Sequence, residues 1–221
     1  MYRLFTILLS LFALAPASAI NVGSMTFSLE SDARFVSKRV VNNNSGARLY
    51  QVSVTQINRP GETEISSRAA DGELLFSPRQ LTLQAGQSEY YKFYYHGPQD
   101  STERYFRILF REIPTSLLNS VKRKNSDIRL DPVVEMSTIL VVRPRNADFR
   151  WRYDEQSRQI SNPGNTFFRL IIKPTCDSND EDSASYYMRP GDSLKLEEKD
   201  LNYPKLIVYN NKFIPLDKFC R

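Results

Sequence analysis

One histidine and two cysteines are all the imidazole and thiol chemistry available to this 221-residue chain. His96 stands in Tyr94-Tyr95-His96-Gly97-Pro98, an aromatic stretch running into turn residues. A lone imidazole there reads as a turn residue rather than a general base. No serine lies in a G-x-S-x-G setting that would give a base something to activate. Cys176 and Cys220, with a single histidine, do not make a zinc ligand set. In an oxidising compartment an isolated pair is most simply one disulfide. The densest carboxylates, Asp180-Glu181-Asp182 after Asp177, lack the alternating spacing and glycine of a calcium loop, so a solvated acidic loop is expected. Glycine occurs only 8 times, with no phosphate-cradling run. The compact basic run Lys122-Arg123-Lys124 reads as a solvated loop rather than a nucleic-acid patch, against a net charge of +5 and an average 25% of charged residues. The expectation is a protein that is not an enzyme and uses no cofactor, metal or nucleic acid.

What remains is the chemistry of the backbone itself, and one stretch concentrates it. From Ser126 to Arg145 apolar residues alternate: Ile128, Leu130, then after Pro132 Val134, Met136, Leu140 and Val142. The other parity carries Arg129, Asp131, Glu135 and Ser137. Alternation of period two predicts one long half-buried strand. Pro132 and the β-branched residues exclude a helix. Such a strand exceeds the usual ~5–6 residues and overruns its sheet. Ile128, Leu130 and Val134 then form either an edge waiting for another strand or the arm of a long hairpin.

The elements around it are short strands. Met25, Phe27 and Leu29 alternate; 35–41, 49–57, 74–78, 81–83, 89–95 and 105–113 are extended, separated by turns such as Asn42-Asn43-Asn44-Ser45-Gly46 and Arg59-Pro60-Gly61. Residues 62–73 and 114–125 read as polar connections, and 105–113 is the expected partner of 133–143. Pro144 closes the long strand. Beyond it, 149–153, 159–161, 166–173, 193–196 and 206–209 are further strands, with turns at Asn162-Pro163-Gly164 and 187–192. Regular short strands with almost no helical period predict an all-β fold of two immunoglobulin-like β-sandwich domains, 20–144 and 145–221. Residues 1–19 are set apart: Arg3, an apolar run from Leu4 to Leu14, and Ala17-Ser18-Ala19 read as a cleaved signal peptide for export to the periplasm. That run is too short to span a bilayer, and no membrane insertion is expected.

The order of these motifs is similar to a known family. An aromatic-rich strand ending in Arg111-Glu112-Ile113-Pro114, a connection, and a long alternating strand ending in Arg143-Pro144 resemble the periplasmic pilus chaperones of the PapD type. The segment from Leu75 to Gly86 and the Asn162-Pro163 turn fit as well. The resemblance implies binding and capping of fimbrial (pilin) subunits by donor-strand complementation, with Ile128, Leu130 and Val134 as the donated row, and delivery to an outer-membrane usher. It departs at the family's subunit anchor: the lysine position falls on Ile139, and the first strand has no arginine. In this the chain resembles the branch serving alpha-type fimbriae. There the second-strand Arg39 is the matching anchor, with Ser137 or Thr138 near the lost lysine. The resemblance further implies an interdomain ion pair between Glu103 and Arg143. Two rivals stand beside it: a secreted immunoglobulin-like structural or adhesive pilus component, and an envelope hydrolase.

Overall fold

The computed structural model describes residues 20–118, 132–179 and 181–216. The leader at 1–19, the donor residues Ile128 and Leu130, and Cys220 lie outside the described residues.

The first half is a sandwich of two sheets. One contains β1 (Ile20–Asn21), β3 (Phe35–Asn42), β8 (Ser88–Tyr95) and β6 (Leu74–Ser77), hydrogen-bonded in that order. The other runs β2 (Thr26–Leu29), β10 (Val134–Val142), β9 (Arg104–Pro114), β4 (Arg48–Ile57) and β5 (Ser66–Ser67), with β7 (Gln80–Leu83) also on β4. A single helical turn, α1 (Thr115–Leu118), follows β9.

Period-two alternation decides which side chains fill the space between these sheets. On β8, Tyr91, Phe93 and Tyr95 point inward and are buried, while Tyr90, Lys92 and Tyr94 face out. On β9 the inward residues are Phe106, Ile108 and Phe110, none of them exposed. Tyr91 meets Phe110 edge-on at 5.7 Å, and Phe93 sits between Phe27 and Phe76. Each such side chain stabilises the fold by about 1.5–3 kcal/mol on burial. A charge is buried among them at Glu112, which accepts from the Tyr50 hydroxyl at 2.8 Å and lies 3.6 Å from Arg48.

The second half is a smaller sandwich. One sheet is β11 (Arg152–Asp154), β12 (Gln159–Ser161) and β15 (Ser193–Lys195). The other is β14 (Ala184–Met188), β13 (Phe168–Ile172), β16 (Lys205–Tyr209) and β17 (Lys212–Pro215). Its core gathers Ile160, Phe168, Leu170, Ile172, Met188, Leu196 and Ile207. Asn162 braces the turn after β12: its amide donates to the Thr166 and Met188 carbonyls at 2.9 Å, and its oxygen accepts from Gly164. A Cβ on Gly164 would lie 2.2 Å from the Asp148 carbonyl, so only glycine fits.

The alternation of 133–143 and its pairing with 105–113 are found as expected, Val134 opposite Glu112 through Val142 opposite Arg104. Four strands were not expected: β1, β5, β14 and β17. A short 3-10 helix also occurs, Glu198–Asn202.

Candidate functional site

Three features converge where β10 leaves the first sandwich: an open strand edge, a cleft, and a buried charge cluster. The edge comes from unequal strand lengths. β10 pairs with β9 along its whole length. On its other side β2 covers only Ile139 to Val142, in parallel, from Thr26 to Leu29. The Ile139 amide donates to Met25 O at 2.8 Å and that of Arg143 to Leu29 O at 3.0 Å. Backbone groups of alternate residues point to alternate sides of a strand. Odd-numbered residues of β10 therefore address the β2 side, and among the described residues no strand meets Glu135 and Ser137 there. Val134 and Met136 continue the inward row of Thr138 and Leu140 but are only half-buried against the core. They stand where the sandwich opens.

The expected site residues divide by the face they occupy. Thr138 points inward, fully buried, and its hydroxyl donates weakly to Ile108 O at 3.4 Å. Ser137 is on the opposite, cleft-facing side, where Arg107 Nη1 donates to its hydroxyl at 2.7 Å. Arg107, on β9 directly opposite Ile139, is held by Glu64, which accepts from Nε at 2.7 Å and also from Nη2. The guanidinium holds the Glu64 carboxyl below its usual range. Arg39 is placed differently from expectation. It lies exposed on the outer face of the other sheet, donating to Ser88 Oγ at 3.1 and 2.9 Å, and does not face the cleft or the β10 edge. Its neighbour Lys38 is the inward cation of β3. Only 6% exposed, it donates to Ser24 O and packs 4.5 Å from the centre of the Phe27 ring. Burial pushes this amine down to about 8.

At the hinge, Arg143 and Glu103 are both buried, 3% and 9% exposed, but not as a direct pair. Arg143 Nη1 donates to Thr166 Oγ1 at 2.6 Å and to Phe167 O at 2.8 Å. Its guanidinium lies between the rings of Phe167 and Tyr209, 4.2 and 4.6 Å from their centres. The acid beside it is Glu30, at 2.9 Å from Nε but out of line for a hydrogen bond. Glu103 accepts from Thr166 Oγ1 at 3.0 Å, Phe167 N at 2.8 Å and the Tyr105 hydroxyl at 2.6 Å. The expected ion pair is thus replaced by a shared hub, with Thr166 and Phe167 between the two charges. Desolvation raises the Glu103 pKa, against those hydrogen bonds and the charge of Arg143. Asn211 lines the cleft near Arg143. Arg145 ties the strand exit to the first half, donating to the carbonyls of Glu30, Ser31 and Ala33.

A second tie joins the halves. The loop after β4 carries Arg59, which ion-pairs with Asp192, and Pro60, whose carbonyl accepts from Arg189. The same loop supplies Glu64 to Arg107. No sequence signal marked Arg107, since its importance depends on a loop folding over the sheet. Among the described residues, no group of three or more His, Cys, Asp or Glu could hold a metal. No helix there is long and apolar enough to cross a membrane.

This geometry matches known proteins along the whole described chain. Residues 19–148 match the family model "Pili and flagellar-assembly chaperone, PapD N-terminal domain", and 149–216 match "EcpB C-terminal domain". The chain belongs to the PapD-type pilus-assembly chaperone family. It is 52% identical over 202 residues to the probable fimbrial chaperone EcpE of Escherichia coli O18:K1:H7 (strain IHE3034 / ExPEC), covering 91% of this chain and 86% of that one. To the probable fimbrial chaperone EcpB of E. coli (strain SMS-3-5 / SECEC) it is 30% identical, covering 97% and 98%. Among solved structures, the E. coli chaperone DraB shares the fold with a TM-score of 0.56 at 14% identity, over 91% of this chain and 98% of that one. The family resemblance seen in the sequence therefore stands, and the family is periplasmic.

Proposed function

We propose that this protein is a periplasmic chaperone that holds fimbrial (pilin) subunits by lending them the open edge of β10, and passes them to an outer-membrane usher. The observation that carries this reading is the edge at Glu135 and Ser137, which no strand covers among the described residues and which β2 closes abruptly at Ile139. An incomplete subunit offers a strand to that edge and a groove to the inward row. Val134 is the described member of that row, and Ile128 and Leu130 continue it in sequence. The backbone ladder gives affinity and the row fixes register, since a slip of one residue turns every knob outward. No catalytic step is needed.

The anchor we favour is Arg107 with Ser137. The guanidinium lies on the cleft face, opposite Ile139, where an added strand must stop. Glu64 takes the Nε side of the guanidinium, which leaves the Nη1 end beside Ser137 for a terminal carboxylate. Arg107→Ala is expected to lower recovery of a co-expressed pilin subunit about tenfold or more, the scale of one charge-assisted contact, whereas Arg39→Ala leaves it unchanged. Affinity purification from periplasm reads both, and the opposite pattern would restore Arg39 as the anchor.

The leader at 1–19 and domains at 20–144 and 145–221 belong to the same reading, supported by the family match beginning at residue 19. So does a Cys176–Cys220 disulfide: among the described residues there is no free cysteine, and the chain has only these two. Non-reducing peptide mapping of periplasmic protein should recover the joined peptides; two alkylatable thiols would exclude the bridge.

A further inference from the structure

The loop from Asn58 to Ile65, between β4 and β5, touches two places at once. At its start Arg59 pairs with Asp192 and the Pro60 carbonyl accepts from Arg189, both on the turn between β14 and β15. At its end Glu64 holds Arg107, whose Nη1 reaches Ser137 on the β10 edge. The loop is also closed on itself. Asn58 Oδ1 accepts from the amides of Arg59 at 2.7 Å and Ile65 at 2.8 Å. Asn58 N donates to Ile65 O at 3.1 Å, and Glu64 N to Gly61 O at 3.3 Å. A short loop with its ends together and its backbone bonded internally moves as one piece.

Each end of this piece depends on the other body. Asp192 stands between two guanidiniums: Oδ1 meets Arg59, and Oδ2 accepts from Arg189 Nε at 2.8 Å and from its amide at 2.9 Å. Burial, and then the charge of Arg59, pull the Arg189 pKa down. The backbone is pressed on the same arginine at Gly61, where φ is +142° and a Cβ would lie 3.4 Å from the guanidinium. That contact needs glycine and a second sandwich in place. At the far end Glu64 occupies the Nε side of Arg107 and so decides where Nη1 points. Without that acid a long, rotamer-rich side chain has one neutral hydroxyl to hold it on the edge.

We propose that loop 58–65 is a strap through which the orientation of the two sandwiches controls the capture edge: Glu64 positions Arg107 on Ser137 only while Arg59 and Pro60 are held by the second sandwich. The proposal rests on the donor-strand reading above, with Arg107 at the end of the edge, and adds to it the regulation of that site. A turn of the second sandwich that draws Asp192 and Arg189 away lifts the strap and carries Glu64 off Arg107. The edge then loses its fixed cation although no residue of β10 has moved. The coupling runs both ways, so cargo that binds the positioned Arg107 more tightly also favours the clipped orientation.

The test uses the full-length chaperone and two readouts: NMR titration of the Glu64 carboxyl, and the amount of co-expressed pilin subunit recovered per chaperone. Arg107 holds Glu64 below its usual range in the clipped protein. In Arg59→Ala/Arg189→Ala, which touches neither Glu64 nor β10, that titration should move up toward 4.5. Subunit recovery should fall about tenfold, the scale of one hydrogen bond to a charged group. Glu64→Gln should lose as much with the clip intact, and combining the three changes should add little, because all act through one strap. Arg59→Lys keeps the charge facing Asp192 and should stay near wild type. Thermal melts check folding; if the double variant does not fold, Arg59→Ala alone, at a side chain 47% exposed, should shift both readouts in the same direction. An unchanged Glu64 titration in the folded, unclipped protein overturns the strap. A shifted titration with undiminished recovery, or fully additive losses, overturns its control of the edge and leaves donor-strand binding standing. If wild-type chaperone retains no subunit, the donor-strand reading falls, and the strap's part in capture with it.

Discussion

Glu135→Pro is expected to give a folded chaperone that no longer retains a pilin subunit, whereas Met136→Pro, one residue along, is expected not to fold. The contrast follows from the direction in which each amide points. Glu135 lies on the parity of Ile139 and Arg143, whose amides donate toward β2. Its own N–H addresses the open side of the strand. Proline there removes no ladder bond to β9, and proline on an edge strand is tolerated for that reason. Its ring also projects into the space an added strand must occupy, which blocks edge-to-edge pairing. The side chain lost is half-exposed, and its 3.4 Å pair with Arg111 contributes little at such exposure. Met136 has the opposite parity and pairs with Phe110 within the β9 ladder. Proline there deletes a ladder bond to β9, and proline is tolerated essentially only on the open side of an edge strand or at a bulge. Periplasmic yield and thermal melts read the fold, and co-purified subunit reads the function, with a drop of at least about tenfold expected for Glu135→Pro. Normal capture by a folded Glu135→Pro protein would mean that the β10 edge is not the binding surface.

Arg143→Met should destabilise the protein by about 3–5 kcal/mol near neutral pH, the cost of leaving the buried Glu103 without the cation near it. Methionine restores much of the volume between Phe167 and Tyr209, so the loss is electrostatic rather than a cavity. Glu103, already raised by desolvation, loses the charge that opposed this shift. A carboxyl whose folded pKa lies above its unfolded value, here 4.5, favours the folded state fully below that value. The benefit is lost as pH rises through the folded pKa. The penalty of Arg143→Met should therefore be smallest near pH 4 and grow toward pH 7. Adding Glu103→Gln should remove most of that growth, since the amide oxygen can still accept from Phe167 N while Tyr105 turns its hydroxyl to accept. Denaturant unfolding of the single and double variants across this range checks the claim; a penalty independent of pH would show that Glu103 does not sense Arg143.

The strands were legible where one face is buried and the other wet. On β9 the buried face carries Phe106, Ile108 and Phe110 in alternation, and its pairing with the long strand was expected from that. The strands that escaped lack that contrast. Along β14 only Met188 is buried, so Ala184 to Tyr187 carries no pattern to read. β17 is a sheet edge with Phe213 62% exposed, and β1 and β5 have two residues each. The site was less legible because its faces are set by tertiary packing. On β3 both parities hold apolar residues, Phe35 and Val41 on one side and Val36 and Val40 on the other. The sequence alone could not tell that Lys38 turns in and Arg39 out. On β9, Arg107 and Arg111 looked alike; only the loop bearing Glu64, distant in sequence, singles out Arg107.

An edge left open for cargo is also open to a second copy of the same chain. Two chaperones meeting edge to edge could each supply the strand the other lacks, and the pair would be withdrawn from service. The placement of Glu135 works against this. In an antiparallel pair centred near it, two carboxylates approach on the same face, and like charges directly opposed destabilise a ladder. Pro132, just upstream and exposed, interrupts the edge on its other flank. The strand is therefore guarded against homotypic association by the side chains it carries, while its backbone stays available to a partner whose own charges differ. Colloidal stability of the idle protein and its readiness to bind are in this way two properties of one short stretch of β10.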